Sequence, residues 1–494
     1  MMMLGHIAFI AVMVGLGLSL PFHAMGDVGS ALVVVGVIGL WRYTWAAINF
    51  GRAALFLKSV YPRRKARAMA AYAALPSPAH AYFLVTSYKI EPEVTTRVYQ
   101  ALFRAAAAAA SAGGATVVCS VVDTADARLI RNIFDRMAVD TSNTRLMVDQ
   151  IAGTGKRDAL ARSLRLIAGE APTRRDIVLF VDGDSCVPED IVAATAPFFT
   201  NPDMGAVTTD EEVEIRATDM PLFRDWFMLR FNQRQVMMSS MGLSDRVLTL
   251  TGRMSVVRAD LATNAGFINQ VQSDFIDHWR LGRVNFLTGD DKSTWFWLLK
   301  NGYKMGYLPD VASLSMESQP RPGFVDSALT LMVRWFGNML RTNGRALSLS
   351  PNSIGWFTWW SILDQRVGIW TTLAGPISVL FGAVFIEPLA LPVYITWVMF
   401  TRYTYCWILA TVRMQPFPIT YPFLLYFSQI TGAAVKSFVL FRLDRQRWTR
   451  QSARKARAMS LPFGQRLQGW SSTFSHSLAL GWLTLGVILL SGIV

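Results

Sequence analysis

The chain has 494 residues, 52% of them hydrophobic and 17% charged, which fits a membrane protein carrying a sizeable soluble domain. Its formal net charge is +14, and the Lys and Arg cluster beside apolar segments, as the positive-inside bias requires. No basic-aromatic recognition motif accompanies them, so nucleic acid is excluded as a partner. Cys119, Cys186 and Cys406 show no metal-ligand spacing. An odd count argues against a disulfide framework and fits a reduced cytosolic domain.

The N-terminus lacks a basic leader and is followed at once by a second apolar run. It reads as a retained membrane helix, not a signal peptide. Residues 4–24 and 30–50 are each long enough to span a bilayer. Arg42 lies inside the second run, where a charge is costly unless it snorkels or finds a partner. The basic block Tyr61-Pro-Arg-Arg-Lys-Ala-Arg67 follows, so residues 1–60 form a transmembrane hairpin with both ends on the cytosolic side.

Residues 61–322 change character. Ala81–Thr86, Ala115–Ser120, Arg145–Ile151 and Asp176–Val181 read as strands, and Glu93–Ala112 as a helix. Alternation of this kind predicts an α/β domain with a mostly parallel sheet, whose ligands bind beyond the carboxyl ends of the strands. Thr86-Ser-Tyr-Lys-Ile-Glu91 closes the first strand. It is either a plain turn or a place where Tyr88 stacks on a nucleobase. Gly153-Thr-Gly-Lys-Arg-Asp158 lacks the spacing of a Walker A loop. It is a basic loop opening a helix, or a nucleotide contact through Lys156 or Asp158.

Asp182-Gly183-Asp184 stands at the end of the fourth strand. Hard oxygen ligands flanking a small residue suit Mg²⁺ or Mn²⁺ on a diphosphate, although such triplets also occur in ordinary turns. Thr288-Gly-Asp-Asp-Lys292 precedes a helix expected to begin near Ser293. Its acids are either helix-terminal charges favoured by the dipole or a base for a sugar hydroxyl. Lys292 fixes a phosphate or positions the acidic pair.

Residues 323–365 read as amphipathic and aromatic interfacial helices, with 323–348 mixing Phe324, Leu331 and Trp335 with Arg334, Arg341 and Arg345. Residues 366–494 form the C-terminal membrane region, with spans at 367–386, 389–412 and 473–494. Residues 420–441 are long enough to cross, yet the basic run 442–458 follows them. The positive-inside bias therefore favours an interfacial or re-entrant helix and five spans in total. Trp356, Trp359, Trp360 and Trp370 line a sugar path or form an interfacial belt. Arg402, in mid-span, faces a channel or pairs with a polar neighbour. His278 beside Trp279 reads as packing.

In order and spacing, these pieces resemble the family-2 processive membrane glycosyltransferases that make cellulose, chitin and hyaluronan. The match runs from the loop at Thr86 through Gly155-Lys156, Asp182-Gly183-Asp184, Thr251-Gly252-Arg253 and Asp290-Asp291 to Arg334-Trp335. Leu331 stands where the family's Q-x-x-R-W motif has glutamine. Leu-Thr-Gly-Asp-Asp-Lys-Ser at 287–293, the run 246–255, His-Trp-Arg-Leu-Gly at 278–282, and Arg-Trp-Phe-Gly-Asn-Met-Leu-Arg at 334–341 resemble the alginate (mannuronan) synthase branch over nearly the whole chain.

The resemblance implies a GT-A-like cytosolic domain joined to a transmembrane export channel in a bacterial inner membrane. It implies that Asp182 and Asp184 hold the metal-diphosphate. Asp291 is then the base, supported by Asp290 and Lys292. Thr86, Tyr88, Lys156, Asp158, Asp182, Arg253 and Arg334 line the donor side, and Trp335 stacks on the acceptor sugar. Trp448-Thr449-Arg450 is similar to the W-G-T-R gating loop without its glycine. The implied reaction polymerises GDP-mannuronate into β-1,4-polymannuronate, with a cyclic-di-GMP-binding membrane subunit acting in trans. A UDP-sugar synthase of hyaluronan, chitin or cellulose type, and a non-catalytic channel or scaffold, are the alternatives.

Overall fold

A computed structural model describes residues 2–19, 25–216, 218–446 and 463–492. The soluble domain is built on an eight-stranded sheet. Its strands are β1 (Ala81–Thr86), β2 (Ala115–Val121), β3 (Thr144–Gln150), β4 (Ile177–Asp182), β5 (Ser185–Cys186), β6 (Met204–Ile215), β7 (Met254–Arg258) and β10 (Lys304–Glu317). A separate hairpin pairs β8 (Phe275–His278) with β9 (Gly282–Asn285). The sheet order is β3-β2-β1-β4-β7-β6-β10-β5. The run β3-β2-β1-β4 is parallel, as the sequence predicts, and β6 runs parallel to β10. β7 lies antiparallel to both β4 and β6, and β5 antiparallel to β10.

The strands expected from β-branched runs lie within a residue or two of their predicted bounds. The helix expected over 93–112 is Pro92–Ala110, started by Pro92 in its first turn, where a missing N–H costs nothing. Its alanines are not idle helix formers. Ala105, Ala106, Ala109 and Ala110 are buried, letting the helix lie close on the sheet.

The membrane-facing part departs from expectation in two places. The second apolar run and the basic block form one continuous helix, Val33–Ala73, through a π turn at Phe56–Val60. The block docks on the sheet domain. Lys65 Nζ lies 2.6 Å from Asp310 and Arg64 2.5 Å from Asp245, and Tyr61 donates to Asp310. Likewise the aromatic run at 354–363 is not separate from the following span. It opens one 30-residue helix, Trp356–Phe385, since Pro376 removes a single hydrogen bond and leaves the helix unbroken.

Among the described residues, four helices are long and apolar enough to cross a membrane: Val33–Ala73, Trp356–Phe385, Tyr421–Leu440 and Leu467–Leu490. They mark a membrane protein. Met3–Ser19 is shorter, and Ala390–Arg413 carries an apolar stretch interrupted by Arg402. Both mid-segment arginines have partners. Arg42 reaches Asp364 at 2.7 Å and Thr371 at 2.6 Å, and Arg402 donates to Gln429 at 2.6 Å. Trp356 and Trp360 are largely exposed, while Trp359 donates to the Leu347 carbonyl at 3.1 Å, which fits an interfacial belt.

The Arg42–Asp364 pair joins the Val33–Ala73 helix to the Trp356–Phe385 helix. Removing one partner strands the other in a medium that solvates charge poorly. Arg42→Leu is expected to cost about 3 kcal/mol in thermal unfolding of the detergent-solubilised chain. Arg42→Leu with Asp364→Leu should recover most of that loss. A single variant within about 0.5 kcal/mol of the parent contradicts this assignment.

Candidate active site

The site forms beyond the carboxyl ends of β1 and β4, which run in register with Thr86 opposite Asp182. Asp182 is the last residue of β4. The chain then passes so close to the β1 exit that a Cβ on Gly183 would lie 2.5 Å from Ser87 Oγ and 3.0 Å from the Thr86 carbonyl oxygen. Only glycine fits there, so the two acids are set on either side of a bare backbone. The Asp184 carbonyl accepts from the Met316 amide at 2.9 Å, which ties the loop to β10.

The second acidic element arrives from the helix Asp290–Lys300. That helix begins three residues earlier than the sequence suggests, so Asp290 and Asp291 occupy its first turn. Gly289 makes the start possible. It sits at φ +82°, and a Cβ there would be 2.9 Å from Asn338 Cγ. The dipole therefore favours both carboxylates, and this helix-terminal role coexists with whatever chemistry they perform.

Lys156 joins the two elements. It is the first residue of the helix Lys156–Gly169, and its Nζ lies 2.6 Å from Asp182 Oδ1 and 3.0 Å from Asp290 Oδ2. Gly252 lies between Asp182 and Asp291, for its Cβ position is 3.5 Å from Asp182 Oδ2 and 3.9 Å from Asp291 Cβ. Two loops about a hundred residues apart in sequence thus converge on one lysine.

The electrostatics follow from this crowding. Burial opposes charge on Lys156, but Asp182 and Asp290 hold it protonated, well above its ordinary range. Asp182 is pushed up to about 6 by burial, against the pull of Lys156 and with the push of Asp184 and Asp290. Burial also opposes charge on Asp290, yet Lys156 and Arg157 bring it below the usual carboxylate range. Asp291 goes the other way, raised by burial and by the neighbouring Asp290 charge. Adjacent acids with opposite shifts are the pattern expected of a fixed ion-pair partner beside a proton acceptor.

Arg334 feels Glu317 most strongly and also faces Arg253, Asp182 and Asp184. Arg253 is held by Glu317 at 2.6 Å, Ser315 at 3.0 Å and Glu211 at 3.5 Å. It lies just before β7, with Glu211 and Glu317 as anchors. Trp335 is half-buried, stacked on Trp226 with centroids 5.7 Å apart.

Other expected residues have contacts of their own. Asp158 accepts from Gln272 at 3.0 Å, a helix-to-helix contact. Lys292 donates to the Leu248 carbonyl at 2.9 Å, so it anchors the strand of chain leading to Gly252. Burial pushes that amine down to about 8, with Asp291 opposing and Arg234 adding to the shift. Tyr88 is exposed, with Lys89 5.2 Å above its ring. Trp448 and Arg450 lie outside the described residues.

The sequence reading missed Arg157. It is buried, donating to the carbonyls of Val271 at 2.7 Å and Thr288 at 3.0 Å and to Ser293 Oγ at 3.0 Å. It also missed Asn338, which receives Thr288 Oγ1 and Arg341, each at 2.6 Å. Arg345 forks onto Asp274 at 2.6 and 2.9 Å, and Asp274 receives Ser293 Oγ at 2.5 Å. The helix Phe324–Leu347 therefore grips the loop that carries Asp290 and Asp291. The only sequence signal was Arg157 standing beside Lys156 at a helix start.

Residues 78–338 match the family described as glycosyltransferase like family 2. The glycosyltransferase Alg8 of Pseudomonas syringae pv. tomato is 39% identical over 475 residues, covering 95% of this chain and 94% of its own. That of Azotobacter vinelandii is 40% identical over 450 residues, covering 90% and 89%. A mannosyltransferase of Pyrobaculum calidifontis, solved with GDP-Man and Mn²⁺, overlaps with a TM-score of 0.49 at 16% identity, covering 83% of this chain and 98% of that one, which is too slight to carry an argument. Since the family match spans over half of the chain and the two Alg8 relatives align along nearly all of it, the chain belongs to the family-2 glycosyltransferases, where it groups with the enzymes named Alg8.

Proposed function

We propose that this glycosyltransferase polymerises GDP-mannuronate into β-1,4-polymannuronate at the cytosolic face of a bacterial inner membrane and passes the product through its own helices. The observation that carries this reading is the bridge from Lys156 to both Asp182 and Asp290, with Asp291 beside Gly252. It brings a donor-side acid and a base-side acid into one site. Hyaluronan-type and chitin-type synthases with a UDP donor share that chemistry. The two Alg8 relatives at 39% and 40% identity support the alginate-type branch, for which the resemblance implies a guanosine-linked uronate.

Asp182 and Asp184 fit a divalent cation. Two acids flank a bare backbone, and repulsion from Asp184 and Asp290 adds to the burial that raises Asp182 to about 6. A cation there would take its remaining ligands from substrate phosphates. Bound Mg²⁺ or Mn²⁺ would supply charge neutralisation for the departing nucleoside diphosphate.

The chain's own groups do the rest. Arg334, facing Asp182 and Asp184, orients the diphosphate. Thr86 and Tyr88 border the nucleoside side at the β1 exit. Trp335 receives the pyranose face of the acceptor. Asp291 takes the proton of the acceptor hydroxyl as that oxygen attacks the anomeric carbon from the side opposite the leaving diphosphate, which inverts the configuration. Asp290 stays ionised against Lys156 and Arg157 and keeps Asp291 basic. Lys292, tied to the Leu248 carbonyl, positions the helix. In this reading the helix 420–441 lies at the interface, and a cyclic-di-GMP-binding subunit acts in trans.

The direct test is inside-out vesicles holding the chain with its membrane partners and cyclic-di-GMP, given radiolabelled GDP-mannuronate or UDP-sugars. Alkali-soluble polymer from GDP-mannuronate is expected, abolished by EDTA and restored by Mg²⁺ or Mn²⁺. Polymer from a UDP-sugar alone would contradict the donor assignment. Polymer that survives EDTA would contradict the metal site. Asp291→Asn should lower elongation about 100-fold or more with insertion unchanged, as loss of a general base does. Lys292→Met should act mainly through stability, read as a lower unfolding temperature. Equal rates for Asp291→Asn and the parent would remove Asp291 from the role.

A further inference from the structure

Two cations flank Trp335 and Phe336 without an acid of their own. Arg230, on the helix Pro221–Gly242, holds its guanidinium 4.1 Å from the Trp335 ring centroid and 5.2 Å from that of Trp226. Lys436, on the helix Thr420–Leu440, holds its ammonium 4.7 Å above Phe336. Among the described residues, neither has a carboxylate within salt-bridge distance or a hydrogen-bond acceptor.

The acids nearby are already engaged. Arg230 feels Glu211, but Glu211 is bound by Arg234 and Arg253, each at 3.5 Å, and by Thr251. Lys436 feels Asp364, but Asp364 is paired with Arg42 at 2.7 Å. The remaining neighbours repel. Arg253 faces Arg230, and Lys436 faces both Arg230 and Arg42. Burial and Arg253 push Arg230 down to about 10.

A structural role for the pair is incomplete. A cation over an aromatic face is stabilised by the ring quadrupole, yet the ring accepts none of the five guanidinium N–H donors. Gathering like charges inside a protein without counter-anions costs stability. That cost is offset when an anionic ligand passes through the site.

We propose that Arg230 and Lys436 form a carboxylate-binding subsite on the acceptor side of Trp335, which reads acidic sugar units of the growing chain as they leave the catalytic centre. This rests on the reading of Trp335 as the acceptor platform. The ligand class is a polyuronate. Arg230 binds the carboxylate of a unit at the platform, and Lys436 that of a unit farther along toward the membrane helices. Two unpaired cations suit a polymer with a repeated negative charge and add nothing to the binding of a neutral chain.

The test is binding of hexamannuronate and of neutral mannohexaose to the full chain in phosphatidylcholine nanodiscs, which carry no net lipid charge. The parent is expected to prefer hexamannuronate by about tenfold or more, the scale of one charge-assisted contact. Arg230→Gln and Lys436→Gln should each reduce that preference, and the double variant should abolish it. Arg230→Lys and Lys436→Arg should retain most of it. Mannohexaose binding that is unchanged across the set shows that the variants are folded. A double variant that keeps the parent's preference, or a parent with none, overturns the proposal. If phosphatidylglycerol in the nanodisc removes the preference and Arg230→Gln does not, the cations serve lipid phosphate and the proposal is again overturned. A parent that binds hexamannuronate preferentially but makes no polymer from GDP-mannuronate supports this subsite and contradicts the donor assignment, so the two failures are distinguishable.

Discussion

Four carboxylates gathered around Lys156 constrain the rest of the structure. Asp182 and Asp184 come from the end of β4, and Asp290 and Asp291 from a helix start. Lys156 bonds Asp182 and Asp290 directly. Burying such a cluster is unfavourable unless each charge has a partner or a ligand. The surrounding elements serve that requirement. Gly183 permits the close approach at the β1 exit, Gly289 permits the early helix start, and Arg157 backs the second acidic pair from below. The outcome is asymmetry, with Asp290 held below the usual carboxylate range by Lys156 and Arg157, and Asp291 raised by burial and by Asp290.

The membrane helices are part of the same construction. The helix Phe324–Leu347 carries Arg334 and Trp335 toward the site on one stretch. Through Asn338, Arg341 and Arg345 it also grips the loop that presents Asp290 and Asp291. The helix Ala390–Arg413 ends with Arg413 bonded to the buried Asp210 of β6 and to Asn232 at 2.8 Å. The sheet and the helix Ala390–Arg413 are therefore clamped by a buried charge pair, and the helix Phe324–Leu347 is held by a second at Asp274. Contacts of this kind tolerate loss of a partner poorly, which keeps Trp335 and Asp291 in a fixed relation.

Much of this was legible in the sequence, for identifiable reasons. β1, β2 and β4 are short apolar runs buried on both faces, so they stand out, while the edge strand β3 is only partly buried and is legible by its Leu-Met-Val centre. β6 and β10 do not stand out. Asp210 and Glu211 in β6 are buried, but they are neutralised by Arg413, Arg234 and Arg253, and the strand reads as polar. β10 contains Pro309 and Asp310 at a register shift between Leu308 and Ala312, which interrupts its pattern. Asp182, Lys156 and Asp290 were each visible as motif residues. Their meeting was not, because no local pattern reports a contact between residues 156 and 290. Asp158 and Lys292 illustrate the converse, since motif membership said nothing of where their side chains turn. The basic block after the first hairpin was read only for its side of the membrane, and nothing local showed that its charges pair with Asp245 and Asp310 across the fold.

The central claim is that Asp290 keeps Asp291 basic, and the pH dependence of elongation at saturating donor tests it most directly. A base must be ionised, so activity is present above the Asp291 pKa and is lost as pH falls through it. With Asp291 raised by burial and by Asp290, the acid limb of the parent should lie above the ordinary carboxylate range. Asp290→Asn removes the repelling charge, so the residual activity should show a limb moved to lower pH. A limb that stays in place, or moves to higher pH, would contradict the account.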